Sequence, residues 1–300
     1  MKIKVYFDDN YLEAFKNMIY SAVISKKHQT ELVLEVGLWG ELGSNLSAES
    51  RSSILDFCRR LGVEVDFLPL RHFSDRLQSE SYGERIPIDS LFARLSMLIE
   101  SDSDFLYLDV DILLQPGWDD LLTLPSTDPS IAILGVQDLW LKHHGMTQDE
   151  KFGGFYINSG VFVCFYERWR DHALSQVLIR TVSKVDESEI HIRNSLYDQD
   201  ILNIVSEKHK GLLDKTFNCQ ISPAQNGPSS DYYRLSANYH PKIVHFIGGV
   251  KPFYELGKTK FDIFNMADSN ANLGYIDSVM HYYYLYYFFQ NQRKIWEKNS

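Results

Sequence analysis

Phe105-Leu106-Tyr107-Leu108-Asp109-Val110-Asp111 is a short apolar run that ends in two aspartates one residue apart. Such a run reads as a buried strand. Side chains alternate along a strand, so Asp109 and Asp111 point the same way where it emerges. Two carboxylates aimed at one point repel each other unless a cation lies between them. Hard divalent ions such as Mg²⁺ and Mn²⁺ take oxygen ligands of this kind and share them with substrate phosphates. The stretch therefore predicts a metal that holds a phosphorylated substrate. The same spacing occurs at Asp102/Asp104 and Asp198/Asp200, where a solvated turn or a helix cap would explain it. The strand before Asp109 and the partners further along the chain set this pair apart.

Three hundred residues accommodate one large domain or two small ones. A hydrophobic share of 44% supports a sizeable core. The formal net charge of −10 argues against a nucleic-acid-binding surface, so no nucleic-acid partner is expected. An acidic chain that binds phosphates needs a local cation or a few well-placed Lys and Arg. Cys58, Cys164 and Cys219 lie far apart without metal-ligand spacing, and Cys58 and Cys164 sit in apolar stretches as buried thiols. This usage fits a reducing cytoplasm. The opening MKIKVYFDDN lacks the apolar region of a signal peptide, and no run reaches the ~20 apolar residues of a membrane-spanning helix.

Periodicity predicts strands over Ile3–Phe7, Glu31–Leu38, Val63–Leu68 and Phe105–Leu108. Helices are expected over Tyr11–Lys26, from Ser47 as N-cap to about Leu61, and over Pro87–Ile99. This alternation predicts an α/β domain with a largely parallel sheet. Ligands bind such sheets beyond the carboxyl ends of the strands, where Asp8-Asp9 and Asp109–Asp111 both fall. No Gly-x-Gly-x-x-Gly or Walker loop is present to cradle the phosphates. Further on, strands are expected over Ile131–Val136, Tyr156–Phe165 and Ile243–Ile247, and helices over Glu167–Val185 and Asp200–Ser206.

Four further segments accompany the Asp-x-Asp pair. They are Phe7-Asp8-Asp9-Asn10-Tyr11, Tyr156-Ile157-Asn158-Ser159-Gly160-Val161, Tyr197-Asp198-Gln199-Asp200-Ile201-Leu202-Asn203 and His245-Phe246-Ile247-Gly248-Gly249-Val250-Lys251-Pro252-Phe253. In joint order and spacing the chain resembles glycosyltransferase family 8 from residue 1 to about 254. These are retaining, metal-dependent enzymes of GT-A fold, among them bacterial lipopolysaccharide galactosyl- and glucosyltransferases and glycogenin. The resemblance implies a single Rossmann-like GT-A domain over 1–254, with a mixed, largely parallel central sheet flanked by helices. Residues 255–300 form an aromatic and basic helical tail.

The resemblance also implies roles for particular residues. Asp109, Asp111 and His245 would bind Mn²⁺ or Mg²⁺, a donor set that suits Mn²⁺; the competing reading of His245 is a core histidine at a strand end. Lys251 would contact the donor diphosphate, and Gly248 would let the backbone approach it closely. Asp8 and Asn10 would hold a uracil ring on which Tyr11 stacks, although Asp and Asn also favour turns. Arg94 and Val110 belong to the donor-binding set. Asn158 and Ser159 would touch the donor sugar, and Asp198 and Gln199 would lie against its ring, Gln199 near the anomeric carbon. Asp200 would cap the helix expected to start there. Asp138 falls where the family carries an acidic residue facing the acceptor; a turn after a strand is the other reading.

The implied function is transfer of galactose or glucose from a UDP-sugar to a saccharide or lipid-linked saccharide, with retention by front-side attack. An uncharged Gln199 is a poor nucleophile, which disfavours a covalent intermediate. In the tail, Tyr282, Tyr283, Tyr284, Tyr286, Tyr287, Phe288 and Phe289 precede Arg293, Lys294, Trp296 and Lys298. Aromatic residues beside basic ones suit a membrane interface, which would place a cytoplasmic protein at the inner face of the membrane through 279–298. A helix packed on the catalytic domain fits the same pattern. Two other functions compete: a phosphatase or phosphotransferase of haloacid dehalogenase type, and a non-catalytic nucleotide-sugar-binding module. Donor sugar, acceptor and oligomeric state stay open.

Overall fold

The structure, a computed structural model, describes residues 1–39, 45–70, 81–82, 86–87, 92–125, 128–139, 141, 152–186, 197–221, 240–248, 251–253 and 273–300. Its strands are β1 (Lys2–Val5), β2 (Val33–Leu38), β3 (Glu64–Pro69), β4 (Ser81–Tyr82), β5 (Ile86–Pro87), β6 (Phe105–Leu108), β7 (Ile112–Leu114), β8 (Ile133–Gln137), β9 (Ile157–Cys164), β10 (Lys210–Leu212), β11 (Cys219–Ile221) and β12 (Ile243–Phe246). Its α-helices are α1 (Leu12–Ser25), α2 (Ala48–Leu61), α3 (Ala93–Ile99), α4 (Tyr166–Asp171), α5 (Leu174–Asp186), α6 (Tyr197–Val205) and α7 (Leu273–Asn299). Contacts divide the chain into two compact units. The first comprises Met1–Asp9, Thr30–Asp109 and Asp120–Leu213; the second comprises Asn10–Gln29, Val110–Asp119 and Asp214–Ser300.

The first unit is built on a seven-stranded sheet in the order β10-β8-β9-β6-β1-β2-β3. Pairing is parallel except at β9, which runs antiparallel to both β6 and β8. This is the mixed, largely parallel sheet expected from the alternation. All four residues of β6 are buried, as a central strand covered on both faces requires. Phe105 and Tyr107 join Phe162 of β9 and Leu95, Met97 and Leu98 of α3 in the main core cluster. At the start of α2 the Ser47 side chain accepts from Ser50 N, as its N-cap position predicts. Gly62 closes the helix with φ 71°, a left-handed conformation that glycine adopts without strain.

Three expectations need correction. The helix predicted from Pro87 begins only at Ala93; Pro87 itself lies in β5, paired with β4. A proline is tolerated in such a two-residue edge pairing because no long ladder needs its missing N–H. The helix predicted over Glu167–Val185 is two helices, α4 and α5, broken where Ala173 takes φ 53°. Such a residue cannot continue a right-handed helix. Helix α6 begins at Tyr197, three residues before the predicted start. Asp200 therefore does not cap it. Asp200 is fully buried in the first turn and accepts from Tyr156 Oη at 2.5 Å.

The second unit carries a three-stranded sheet, β11-β12-β7. Strand β12 is parallel to β11 and antiparallel to β7, with His245 opposite Ile112. Helix α1 is tied to the end of β7 by two serines. Ser21 Oγ accepts from Leu114 N at 3.1 Å, and Ser25 Oγ donates to Leu114 O at 3.2 Å. The Trp118 indole N–H donates to Ala22 O at 3.1 Å. Helix α7 turns Tyr283 and Tyr286 edge-on to Phe246, with ring centroids 5.3 and 5.4 Å away. Arg293 is fully buried and paired with Glu13 of α1 at 2.5 Å and with Glu297 at 3.1 Å. It is thus a packing residue, unlike the exposed Lys294 and Lys298 beside it. Among the described residues, no helix is long and apolar enough to cross a membrane. Cys58, Cys164 and Cys219 are buried free thiols.

Candidate donor and metal site

The Asp109–Val110 peptide is one of the three places where the chain leaves the first unit for the second. Each unit carries part of the expected residue set.

In the second unit, Asp111 stands one residue before β7, and the β7–β12 register brings His245 beside it. Phe246 N donates to Asp111 O at 3.0 Å. The His245 Nε2 atom lies 3.3 Å from Asp111 Oδ1. Beyond the strand end, Lys251 returns its ammonium to Asp111 Oδ2 at 2.5 Å and also donates to Phe246 O. Burial alone would push the Asp111 carboxyl up. The adjacent Lys251 ammonium is the largest opposing influence, and the carboxyl lies well below the usual carboxylate range. Gly248 adopts φ 80°, a left-handed turn between His245 and Lys251 that suits glycine. Tyr11, half-buried, meets Phe253 edge-on at 5.2 Å, while Asn10 beside it is exposed. Phe253 in turn leans on Tyr286 of α7 at 6.4 Å.

These atoms fit a cation. Asp111 Oδ1 is buried with no hydrogen-bond partner among the described residues. His245 Nδ1 lies 3.0 Å from Asn218 Oδ1. In the tautomer that donates Nδ1–H to Asn218, Nε2 presents a lone pair toward Asp111 Oδ1. Two acceptors facing each other in a buried site favour a positive ion, and a second hydrogen-bonded ring nitrogen is the usual support of a histidine ligand. Asp111 and His245 thus offer a carboxylate and an imidazole, a pair that suits a divalent transition-metal ion.

In the first unit, Asp109 extends the β6–β9 ladder by donating its N–H to Gly160 O at 2.8 Å. Its Oδ1 accepts from Tyr107 Oη at 2.9 Å. Arg94, from the first turn of α3, reaches three expected residues. Its Nε lies 2.7 Å from Asp198 Oδ2 and its Nη2 3.3 Å from Asp109 Oδ1, while Nη1 donates to Ser159 Oγ at 2.8 Å. Burial pushes the Asp198 carboxyl up; Arg94 pulls against that rise and Asp109 adds to it.

Gln199 is likewise fixed. Its Oε1 accepts from Ser159 N at 2.9 Å and from Ser159 Oγ at 3.2 Å, and its Nε2 donates to Asp138 Oδ2 at 3.1 Å. Asn158 Nδ2 donates to the same Asp138 oxygen at 3.1 Å. Arg94, Asp109, Asn158, Ser159, Asp198, Gln199 and Asp138 therefore form one connected group. Asp8, near the end of β1, is half-buried and not joined to that group by these bonds.

Several supporting residues escaped the sequence reading. Asn203 sits one helical turn after Gln199, a spacing visible in the quoted motif. It is fully buried; its Nδ2 donates to Ile157 O at 2.8 Å and Gln199 O at 2.9 Å, and its Oδ1 accepts from Ile157 N at 2.8 Å. Lys210 caps this arrangement, donating to Phe152 O at 2.7 Å, Asn203 O at 3.2 Å and Asn203 Oδ1 at 3.1 Å. No local signal points to Lys210 or Asn218, whose partners are set by strand pairing.

Comparison with known proteins identifies the family. The profile described as "Glycosyl transferase family 8" matches residues 2–256, and the chain belongs to that family. A lipopolysaccharide 1,2-glucosyltransferase of Escherichia coli is 29% identical over 177 residues, covering 58% of this chain and 49% of that protein. The chain thus spans about half the length of that relative. General stress protein A of Bacillus subtilis is 25% identical over 289 residues, 92% of this chain and 90% of that one. The galactosyltransferase LgtC, solved with donor and acceptor sugar analogues, superposes with TM-score 0.61 at 20% identity. It covers 91% of this chain and 97% of its own. At that identity the likeness speaks to the fold, which is that of the GT-A glycosyltransferases.

Proposed function

We propose that the protein is a retaining hexosyltransferase that moves galactose or glucose from a UDP-sugar to a saccharide or lipid-linked saccharide. The observation that carries the reading is Asp111 flanked by His245 and Lys251, a buried carboxylate between an imidazole and an ammonium. Family membership and relatives that use sugar donors support it.

In this reading Asp109, Asp111 and His245 hold a divalent cation, Mn²⁺ or Mg²⁺. When bound, that ion supplies charge stabilisation for the leaving diphosphate. Lys251 adds a second positive charge for the same oxygens, and Gly248 allows backbone approach to them. Asp8 and Asn10 hold the uracil, and Tyr11, steadied by Phe253, offers its ring for stacking. Val110 lies in the donor-binding stretch between the two aspartates. Asn158, Ser159, Asp198 and Arg94 bind and orient the hexose, and Gln199 lies against its ring.

The bond from the anomeric carbon to the diphosphate oxygen breaks and UDP leaves with the electron pair. The acceptor hydroxyl oxygen attacks the same face of that carbon, and its proton passes to the departing phosphate oxygen. The product keeps the donor's configuration. Gln199 is uncharged and its Oε1 already accepts from Ser159, which argues against a covalent intermediate through it. Incubation with UDP-galactose and UDP-glucose in the presence of Mn²⁺, followed by UDP release, tests the activity. An inverted product linkage would contradict the mechanism.

Helix α7 adds a location to the proposal. Tyr284, Phe288 and Ile295 are 63%, 55% and 54% exposed on one stripe, beside exposed Lys294 and Lys298. Such a stripe suits the interface of an anionic membrane. Liposome co-sedimentation tests it: Tyr284→Ser/Phe288→Ser loses binding, and equal binding would remove the membrane role.

A further inference from the structure

We propose that Asp138 is a positioning residue that fixes the amide of Gln199, acting on the sugar through Gln199 and Asn158 rather than by touching the acceptor. The inference rests on the hexosyltransferase reading. Asp138 follows β8 at the bulge in the β8–β9 pairing, where Gly135 faces Phe162 and Gln137 already faces Ile157. That irregularity re-aims the chain, and Asp138 N is held by Tyr156 O at 2.9 Å. Only 6% of the residue is exposed. Its Oδ1 accepts from Leu141 N at 2.9 Å. Its Oδ2 accepts from both Gln199 Nε2 and Asn158 Nδ2 at 3.1 Å.

An amide is nearly symmetric in shape, and only its partners decide which end faces where. Asp138 accepts and cannot donate when ionised, so it compels both amides to present their NH₂ ends. Gln199 is then obliged to turn its carbonyl to Ser159 N–H, and Asn158 its carbonyl to Gly160 N–H, 3.1 Å away. One carboxylate thus sets the orientation of two neighbouring amides on α6 and β9. A buried residue with both oxygens engaged in this way serves preorganisation: the two amides need not rotate when the sugar arrives.

Asp138→Asn has the same size but one donor too many. Either its NH₂ faces Leu141 N–H, or it faces the NH₂ groups of Gln199 and Asn158. In the first arrangement Leu141 N–H loses its acceptor; in the second the amide of Gln199 must rotate. The expected result is kcat lowered about ten- to hundredfold with KM for the UDP-sugar little changed, because ground-state binding by the other residues persists. A purely structural loss would lower the amount of active enzyme without altering how its Gln199 amide is held. That amide is therefore followed directly by NMR with ¹⁵N-labelled glutamine, its NH₂ signal assigned by its disappearance in Gln199→Ala. In wild type the signal is shifted and exchanges slowly with solvent; in Asp138→Asn and Asp138→Ala it moves toward the exposed-glutamine position. A wild-type signal already at the exposed position, an unchanged signal in the variants, or a loss confined to KM would overturn the proposal. The wild-type measurement needs neither a folded variant nor turnover. Absence of UDP release from every UDP-sugar, with the amide still protected, would instead remove the hexosyltransferase reading and leave the clamp itself standing.

Discussion

Lys251 Nζ lies 2.5 Å from Asp111 Oδ2, across 140 residues of chain. The β7–β12 pairing and the turn at Gly248 together produce this contact. Its physical meaning is neutralisation of a buried carboxylate by a lysine that the proposed mechanism also uses on the diphosphate. Lys251→Met should lower turnover by on the order of a hundredfold or more, the scale for losing one preorganised charge donor. It should also cost about 3 kcal/mol of stability, since a buried carboxylate loses its partner. UDP release and urea denaturation measure the two effects; wild-type turnover in the variant would exclude Lys251 from the chemistry.

Asn218 touches no proposed substrate, yet it holds His245 Nδ1 at 3.0 Å. Replacing it with Leu frees the imidazole to rotate and to change tautomer. Mn²⁺ affinity should fall about ten- to a hundredfold, as for other partners of metal-bound histidines. Titration of free Mn²⁺ by electron paramagnetic resonance reads this without catalysis. Equal affinity in the variant would mean that Asn218 does not position His245 for the ion.

Asn203 knits α6 to β9 through both ends of its amide. In Asn203→Leu the Ile157 N–H and C=O lose their partners inside the core. Each buried group left unsatisfied costs roughly 1–3 kcal/mol, so a loss of about 2–5 kcal/mol is expected in chemical denaturation. A loss below about 1 kcal/mol would show that water or a local shift replaces the amide.

Burial pushes the Lys210 ammonium down to about 8 from 10.5, with Glu207 opposing the shift. Between those values the unfolded chain binds a proton that the folded chain has released. Stability therefore rises with pH through that window and carries the full burial penalty below about 8. In melting curves from pH 7 to 9.5, wild type should gain stability relative to Lys210→Met as pH increases. Parallel curves would mean that Lys210 titrates normally.

Much of the fold was legible in the sequence because it rests on local patterns. Phe105–Leu108 is a strand with the predicted bounds, and Ser47 caps α2 as its position implies. The misreadings occurred where tertiary context decides. Nothing apolar or polar in Glu167–Val185 signals that Ala173 will turn left-handed, and a proline at 87 fits a helix start as well as a strand end. Within the candidate site, Asp111 and Lys251 were legible as motif members, but their contact depends on β12 pairing with β7. Strand β7 is only Ile112-Leu113-Leu114, too short to register against the aspartates before it. The tail was ambiguous for a similar reason. Its aromatic residues are divided between a buried face, with Tyr283 and Tyr286, and an exposed one, with Tyr284 and Phe288, and composition does not make that division.

The most direct test of the central claim is UDP release from UDP-galactose and UDP-glucose by metal-stripped protein, with and without added Mn²⁺, in wild type and Asp111→Asn. The account predicts release from at least one donor in wild type with Mn²⁺, little without it, and loss of about a hundredfold or more in Asp111→Asn even with Mn²⁺. Release that is independent of Mn²⁺ and undiminished in Asp111→Asn would contradict it.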